Sequence, residues 1–206
     1  PNPHIENSPL GITKDALREQ YLNFWLKGEG TEPNFTVLYY TMGALGESGA
    51  PGNAWRLADT WPPLPFALTP AYLAPTNTLA DAIPAASASL AYDYNPNNPA
   101  PSTGGQLLYN GGVYDQTPLV SRADVLSFQT ELLGAPVEVT GPLTVRLYVS
   151  TDAVDTDFTA KLIDVYPNGV RFNVVEGIRR LRELLAVAKA AGIPEGRIKI
   201  DLSICR

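Results

Sequence analysis

The chain has 206 residues with 15 basic and 21 acidic side chains, a net charge of −6, and it contains one cysteine and one histidine. An acidic chain without a basic run argues against a nucleic-acid or anionic-membrane partner, and no apolar run reaches the ~20 residues of a membrane-spanning helix. One cysteine excludes an intrachain disulfide and, with a single histidine, a zinc site of cysteine and histidine ligands, so we expect no metal and no cofactor.

Two segments are predicted to be helical. Residues 14–27 lie between Thr13, a suitable N-cap, and Gly28, a suitable C-terminal stop. The apolar side chains of this segment recur at helical spacing and form one stripe: Leu17, Tyr21, Phe24 and Trp25. Such a stripe has to pack against another surface. A second helix is predicted over residues 178–191, which hold strong helix formers and are followed by Gly192.

Between these helices the chain shows short apolar segments separated by glycine and proline, of which it holds 17 and 19. Residues 143–150 alternate apolar and polar side chains, as a half-buried strand does, and Asn168-Gly169 predicts a hairpin turn. The other predicted strands and extended segments are 35–40, 64–73, 79–92, 125–131, 137–139, 159–166 and 170–175. Many short strands joined by turns indicate a β-sandwich.

No residue of the chain is a convincing nucleophile. Ser48 lies in the sequence GESGA (46–50), which departs from the G-x-S-x-G turn of serine hydrolases in the place of its last glycine, so a flexible loop is favoured. A reactive Cys205 would need a base held beside it. His4, judged by its position alone, is a solvated terminal side chain.

Two further groups of residues have both a functional and a structural interpretation. Asp152, Asp155 and Asp157 carry oxygen ligands that suit Ca²⁺, but the EF-hand pattern is absent and turn or capping roles are favoured. Exposed aromatic side chains could stack on sugars in a binding module, whereas buried ones fill a core. The aromatic candidates are Trp55, Trp61, Tyr92 and Tyr94.

A series of short motifs occurs in order along residues 55–178. They are WR and WPP within 55–63, YDYNPNNP at 92–99, PSTGG at 101–105, DQ at 115–116, RADVL at 122–126, EVTGP at 138–142, STDAVDTDF at 150–158 and KLIDVYPNG at 161–169. The ordered set resembles the C-terminal domain of the cocaine esterase / X-Pro dipeptidyl-peptidase family of serine hydrolases. That resemblance implies a mainly β fold, a galactose-binding-like jelly-roll β-sandwich, here with an N-terminal amphipathic helix and a C-terminal helix.

The resemblance also extends to the N-terminal residues. Pro1-Asn2-Pro3-His4 is similar to the family's G-P-W-x-H segment, which implies that His4 is the triad histidine, and residues 14–27 resemble the last helix of the hydrolase domain. Residues 1–45 would then be the end of an α/β-hydrolase domain with its linker, and 46–206 the jelly-roll domain. The nucleophile and the acid would lie upstream, so we expect the chain alone to be inactive.

The resemblance therefore implies that the chain is the C-terminal portion of an ester- or amide-hydrolysing enzyme, in which it packs and shapes the substrate cleft. The expected partner is a catalytic α/β-hydrolase domain or a partner chain, with a homo-oligomer as a further option. Substrate-binding residues are not assigned. The alternatives are a stand-alone carbohydrate- or ligand-binding module and an engineered non-catalytic scaffold.

The two ends of the chain bear on these alternatives. Residues 180–198 have helical character where the family continues with strands, although Ile200-Asp201-Leu202 resembles the family's I-D-L. A truncated, chimeric or engineered tail is therefore expected over residues 180–206. Residue 1 is Pro1, which suggests a fragment, a processed product or an engineered chain. The first residues do not resemble a signal peptide, so a cytoplasmic location is favoured.

Overall fold

A computed structural model describes residues 5–32, 37–44, 46, 51–63, 65–107, 109–182 and 198–204 of the protein, the last range as backbone alone. The described elements divide between two compact units, and each unit is treated separately below. Unit 1 comprises Pro1–Leu68 with Gly134–Gly141, and unit 2 comprises Thr69–Leu133 with Pro142–Arg206. The predicted domain boundary near residue 45 stays a prediction.

The helix predicted over residues 14–27 is confirmed. Helix α1 spans Lys14–Leu22, and the Thr13 side chain accepts a hydrogen bond from the backbone N–H of Ala16 at 3.1 Å, which caps its first turn. The helix continues as a π-helical turn, Asn23–Lys27, and ends at Gly28, whose φ of 72° is left-handed. The other short helices are a 3-10 turn, Ile5–Asn7, and α2, Thr117–Val120.

The described strands pair into four two-stranded antiparallel sheets. Their bounds are β1 Val37–Thr41 with β2 Ala54–Ala58, β3 Tyr72–Leu73 with β4 Leu79–Ala80, β5 Leu143–Val149 with β8 Ile198–Ile204, and β6 Asp157–Val165 with β7 Arg171–Arg180. Strands outnumber helices in the described part of the chain, so the predicted mainly β class is confirmed. None of the described helices is long and apolar enough to cross a lipid bilayer.

In unit 1 the β1–β2 hairpin carries aromatic pairs on both of its faces. Adjacent residues of a strand point to opposite faces, and the rings of Tyr40 and Trp55 lie 5.4 Å apart on one face. On the other face Tyr39 meets Trp61, edge to face, at 5.9 Å. The cross-strand contact between Tyr40 and Trp55 stabilises the short strand β2, which the sequence did not predict.

In unit 2 the β6–β7 hairpin is the longest pairing. Its turn is the predicted Asn168-Gly169, where Gly169 has a φ of 85° and its N–H donates to the Tyr166 carbonyl at 2.8 Å. The strands alternate side chains toward a small core. Among the described residues the buried hydrophobic side chains are Ala74, Leu119, Val175 and Leu181.

Two predicted strands and the start of one predicted helix are wrong. Residues 125–131 and 137–139 form no strand, and Gln129 makes only an isolated bridge to Thr78. The helix predicted from residue 178 does not begin there, because β7 continues to Arg180. Residues 183–197, which hold most of that predicted helix, lie outside the described part of the chain.

The tail contributes a strand to the fold. Residues 198–204 form β8 and pair with β5 in antiparallel register. At the end of β7, pairing across the hairpin places Arg180 opposite Asp157, and the two side chains form an ion pair at 2.9 Å. Tertiary pairing of this kind overrides the helix propensity of residues 178–180.

Candidate functional site

The candidate catalytic side chains that the sequence offered are not among the residues that the structure describes. His4, Ser48 and Cys205 lie outside the described residues. The role of His4 therefore stays a prediction. The described residues of the ordered motifs contribute to a different site.

Those motifs converge on a buried polar cluster in unit 2, formed by Gln116, Asn173, Lys161 and Glu176. Gln116 directly precedes α2, Lys161 comes from β6, and Asn173 and Glu176 come from β7. Gln116 is 0% exposed and Asn173 is 3% exposed. Polar side chains so deeply buried are stable only when their hydrogen bonds are made.

The two amides of the polar cluster join three segments that are distant in sequence. The Gln116 Nε2 donates to the Thr103 carbonyl at 3.0 Å and to the Tyr114 carbonyl at 3.2 Å. The Asn173 Oδ1 accepts from the Tyr114 N–H at 2.7 Å, and its Nδ2 donates to the Gly112 carbonyl at 3.0 Å. The cluster thereby fastens the 103–116 segment to β7.

The charged members of the cluster neutralise each other. The Lys161 Nζ lies 2.8 Å from the Glu176 Oε2 and donates to the Gln116 Oε1 at 3.2 Å. The side chains of Lys161 and Glu176 are only 16% and 21% exposed. A half-buried ion pair needs such additional hydrogen bonds to offset the loss of hydration. The arrangement is therefore complete without a ligand.

The glycines of the PSTGG motif are required by this packing. A Cβ on Gly104, whose φ is 74°, would lie 2.6 Å from the Gly112 carbonyl oxygen. Gly105 and Gly112 exchange backbone hydrogen bonds of 2.7 and 2.9 Å. They close a loop, residues 106–111, in which Tyr109 is 81% exposed. A buried polar base thus supports a loop that exposes the side chains of Leu107 and Tyr109.

A second anchor joins the YDYNPNNP and RADVL motifs. Arg122 binds Asp124 through two hydrogen bonds of 2.7 Å and donates to the Asn98 carbonyl at 2.6 Å. The hydrogen bonds from Arg122 lower the pKa of Asp124 and raise that of the guanidinium. Partial burial, together with the nearby Asp124 charge, raises the pKa of Tyr92.

We expect part of the free energy of unfolding to come from this second anchor and to be lost in acid. A carboxylate with a lowered folded-state pKa stabilises the fold at pH values above its unfolded pKa of about 3.9. That stabilisation is lost as the pH falls through the lowered pKa. We expect Asp124→Asn to reduce the free energy of unfolding most near neutral pH, with the difference from wild type shrinking below about pH 4.

The measurement is urea unfolding of both proteins over a pH series. Asp93→Asn is the matched control, because Asp93 makes no ion pair among the described residues. If the difference in the free energy of unfolding between wild type and Asp124→Asn stayed constant to the lowest pH of the series, the stabilising role of the ionised Asp124 would be contradicted.

Two of the three aspartates considered for Ca²⁺ are paired with arginines. Asp155 accepts two hydrogen bonds from the side chain of Arg182, at 2.6 and 3.0 Å, and Asp157 accepts two from Arg180, at 2.9 and 3.0 Å. These hydrogen bonds lower the pKa of both carboxyls. Asp152 makes no ion pair among the described residues, and within that part of the chain no group of acidic, cysteine or histidine side chains has the geometry of a metal site.

The aromatic candidates for sugar binding divide between the two units. Trp55 and Trp61 belong to opposite faces of the β1–β2 hairpin, and Trp61 is 47% exposed. Tyr92 and Tyr94 are exposed in unit 2. The carbohydrate-binding alternative stays a prediction.

The sequence identified the DQ and PSTGG motifs but missed why they matter. None of the motifs includes Asn173, because an asparagine in a predicted strand carries no local signal of its burial. The only indication was that Asn173 lies two residues before Val175, which is buried, so both side chains point to the same face of the strand. The two anchors hold loops in place.

A mainly β domain whose ordered motifs serve packing belongs to the class of non-catalytic accessory domains. Residues 29–197 match the sequence model of the X-Pro dipeptidyl-peptidase C-terminal non-catalytic domain. The chain therefore belongs to this family, as the motifs had indicated.

Curated relatives agree with the assignment. The chain is 41% identical over 158 residues to a cocaine esterase from Rhodococcus sp. (strain MB1 Bresler), a match that covers 71% of this chain and 28% of the relative. It is 31% identical over 156 residues to putative serine esterases from Mycobacterium bovis and Mycobacterium tuberculosis, covering 73% of this chain and 23% of each relative. The chain thus spans less than a third of the length of these relatives.

Proposed function

We propose that the chain is the C-terminal part of a serine esterase or amidase, in which it packs against an α/β-hydrolase catalytic domain and shapes the substrate cleft. The single observation that carries the proposal is the unburied apolar stripe of α1 in a chain that belongs to a non-catalytic domain family. The named activity of the relatives supports the ester-hydrolysis part of the proposal.

The helix and its π-helical turn have the composition of an interface element. No residue of α1 or of the turn is buried, and Tyr21, Trp25 and Leu26 are 54%, 58% and 76% exposed. Contiguous apolar groups on one helical face gain most of their stabilisation by leaving water. A hydrolase domain that covers this stripe would supply the missing contact.

The proposed contribution to the substrate cleft is assigned to the 106–111 loop. Tyr109 and Leu107 are 81% and 41% exposed, while the base of the loop is fixed by the Gly105–Gly112 hydrogen bonds and the polar cluster below them. Exposed apolar side chains on a hydrogen-bonded base suit a cleft wall that contacts an apolar acyl or leaving group.

In this proposal His4 is the one catalytic residue that the chain supplies. As the triad histidine it would take the serine proton during attack and return it to the leaving group. The nucleophile, the acid and the oxyanion donors would come from the catalytic domain. The support is the order of the triad in α/β-hydrolases, where the histidine comes last.

The proposal is tested first on the chain alone. We expect neither hydrolysis of a short-chain nitrophenyl ester nor labelling by a serine-directed fluorophosphonate, because a histidine without its serine cannot form an acyl-enzyme. The Rhodococcus relative is the positive control. Labelling of the chain would contradict the proposal, with Ser48 the first residue to replace.

Two chimaeras with the Rhodococcus esterase then test the domain role. The domain chimaera keeps the relative's residues up to the position of Gly28 and continues with this chain from Glu29, where the family match begins. The histidine chimaera keeps only the residues ahead of the relative's G-P-W-x-H segment, so that His4 supplies the histidine. We expect both to hydrolyse the ester. An inactive, well-folded domain chimaera would contradict the packing of residues 29–206 against the catalytic domain. The histidine chimaera retains α1 of this chain and therefore tests the packing of the helix.

A further inference from the structure

The chain contains two Asn-Gly dipeptides, and the structure places them in different surroundings. Asn110-Gly111 lies in the 106–111 loop, and Asn168-Gly169 forms the turn between β6 and β7. All four residues are exposed. Exposure therefore does not distinguish the two dipeptides, and any difference in their chemistry has to come from local geometry.

Asn-Gly is the dipeptide most open to spontaneous deamidation, because glycine has no Cβ to shield its backbone nitrogen. The glycine nitrogen loses its proton and attacks the asparagine Cγ, forming a C–N bond, and the side-chain Nδ2 leaves as ammonia. The resulting five-membered succinimide is opened by water at either carbonyl. The products are aspartate and isoaspartate, and water is the only co-reactant.

The hairpin turn blocks both partners of this reaction at Asn168-Gly169. The Gly169 N–H donates to the Tyr166 carbonyl at 2.8 Å, so the attacking nitrogen is held in the turn. The Asn168 Oδ1 accepts from the Val170 N–H at 3.0 Å, which fixes the side chain away from the glycine nitrogen. Both hydrogen bonds have to break before the ring can close.

The other dipeptide has no such restraint among the described residues. Within that part of the chain neither the Asn110 side chain nor the Gly111 N–H has a hydrogen-bond partner. Asn110 has a φ of 56°, a left-handed conformation that asparagine tolerates. Any other residue at position 111 would be strained, since a Cβ on Gly111 would lie 2.5 Å from the Leu107 carbonyl oxygen.

We propose that Asn110 is a spontaneous deamidation site of the folded protein and that Asn168 is protected from the same reaction. Deamidation adds a negative charge beside the exposed Tyr109, and isoaspartate adds one backbone carbon to the loop. If the loop lines the cleft as proposed above, these changes alter an apolar contact surface. That consequence rests on the proposed function, whereas the deamidation itself does not.

The test is a time course of the purified full chain at mildly alkaline pH, read by peptide mapping with mass spectrometry. The map separates asparagine, aspartate and isoaspartate peptides and detects the one-dalton mass gain. A parallel sample is held unfolded in urea, where both dipeptides lose their structure. Asn110→Asp provides the aspartate standard, and Asn168 is the internal control within the same molecule.

In the folded chain we expect Asn110 to deamidate about tenfold faster than Asn168 or more, because two hydrogen bonds hold the second site. In urea the two rates should converge. Equal rates in the folded chain, a faster Asn168, or intact dipeptides in the folded chain while both react in urea would overturn the proposal. The map requires no enzymatic activity, so its outcome is independent of the chimaeras.

Discussion

Replacing His4 by glutamine is expected to lower the ester hydrolysis of the histidine chimaera by about 10⁴-fold or more. Glutamine can hydrogen-bond the serine hydroxyl but cannot accept and return its proton. The loss should appear in kcat at every pH, because no other histidine exists in this chain to take over the role. The measurement is steady-state hydrolysis of a nitrophenyl ester by the two proteins.

The control for this experiment is Cys205→Ser in the same chimaera. It removes the only thiol of this chain and should leave kcat within a factor of about two, because the resemblance gives Cys205 no part in the reaction. Circular dichroism of each variant checks its folding. A His4→Gln chimaera that retains its activity would remove His4 from the triad, while leaving the domain chimaera as evidence for the packing role.

The elements that the sequence predicted well are those with signals contained in a few neighbouring residues. Helix α1 has a side-chain cap and an apolar stripe, β5 has a strict alternation, and the β6–β7 turn has Asn-Gly. Each signal is local, so the element that it predicts does not depend on contacts with distant parts of the chain. The family resemblance was carried by motifs whose order, rather than individual strength, was informative.

The elements that the sequence predicted wrongly depend on distant partners. Residues 125–131 have strand-like composition but find no adjacent strand, whereas Ala54–Ala58 becomes β2 because Trp55 meets Tyr40 across the hairpin. Residues 178–180 favour a helix locally and yet extend β7, because β6 offers them a partner. Strand formation is decided by these cross-strand contacts more than by composition.

The polar cluster shows the same limitation at the level of single side chains. The Tyr114 N–H that Asn173 binds lies 59 residues away in sequence. Nothing near Asn173 in the sequence indicates that its amide will be buried or which groups it will meet. The motifs PSTGG, DQ and KLIDVYPNG marked three of the segments that converge there, and only the fold identified the part of β7 that carries Asn173.

Replacing Asn173 by leucine is therefore expected to destabilise unit 2 by about 2–4 kcal/mol. Leucine has the same heavy-atom branching at Cγ and is no smaller than asparagine, so the substitution leaves no cavity and removes the hydrogen bonds. The Tyr114 N–H would lose its acceptor at 2.7 Å, and the Gly112 carbonyl would lose the Nδ2 donor at 3.0 Å. An unpaired buried N–H costs more than the bond itself contributed, because water cannot replace the lost partner.

The measurement is urea unfolding followed by far-ultraviolet circular dichroism, since the three tryptophans, Trp25, Trp55 and Trp61, all lie in unit 1. Amide exchange of Tyr114 adds a local readout and should accelerate in the variant. Asn97→Leu is the matched control at an exposed position and should change the free energy of unfolding by less than about 0.5 kcal/mol. Equal effects of the two substitutions would show that the buried amide network does not hold the 103–116 segment to β7.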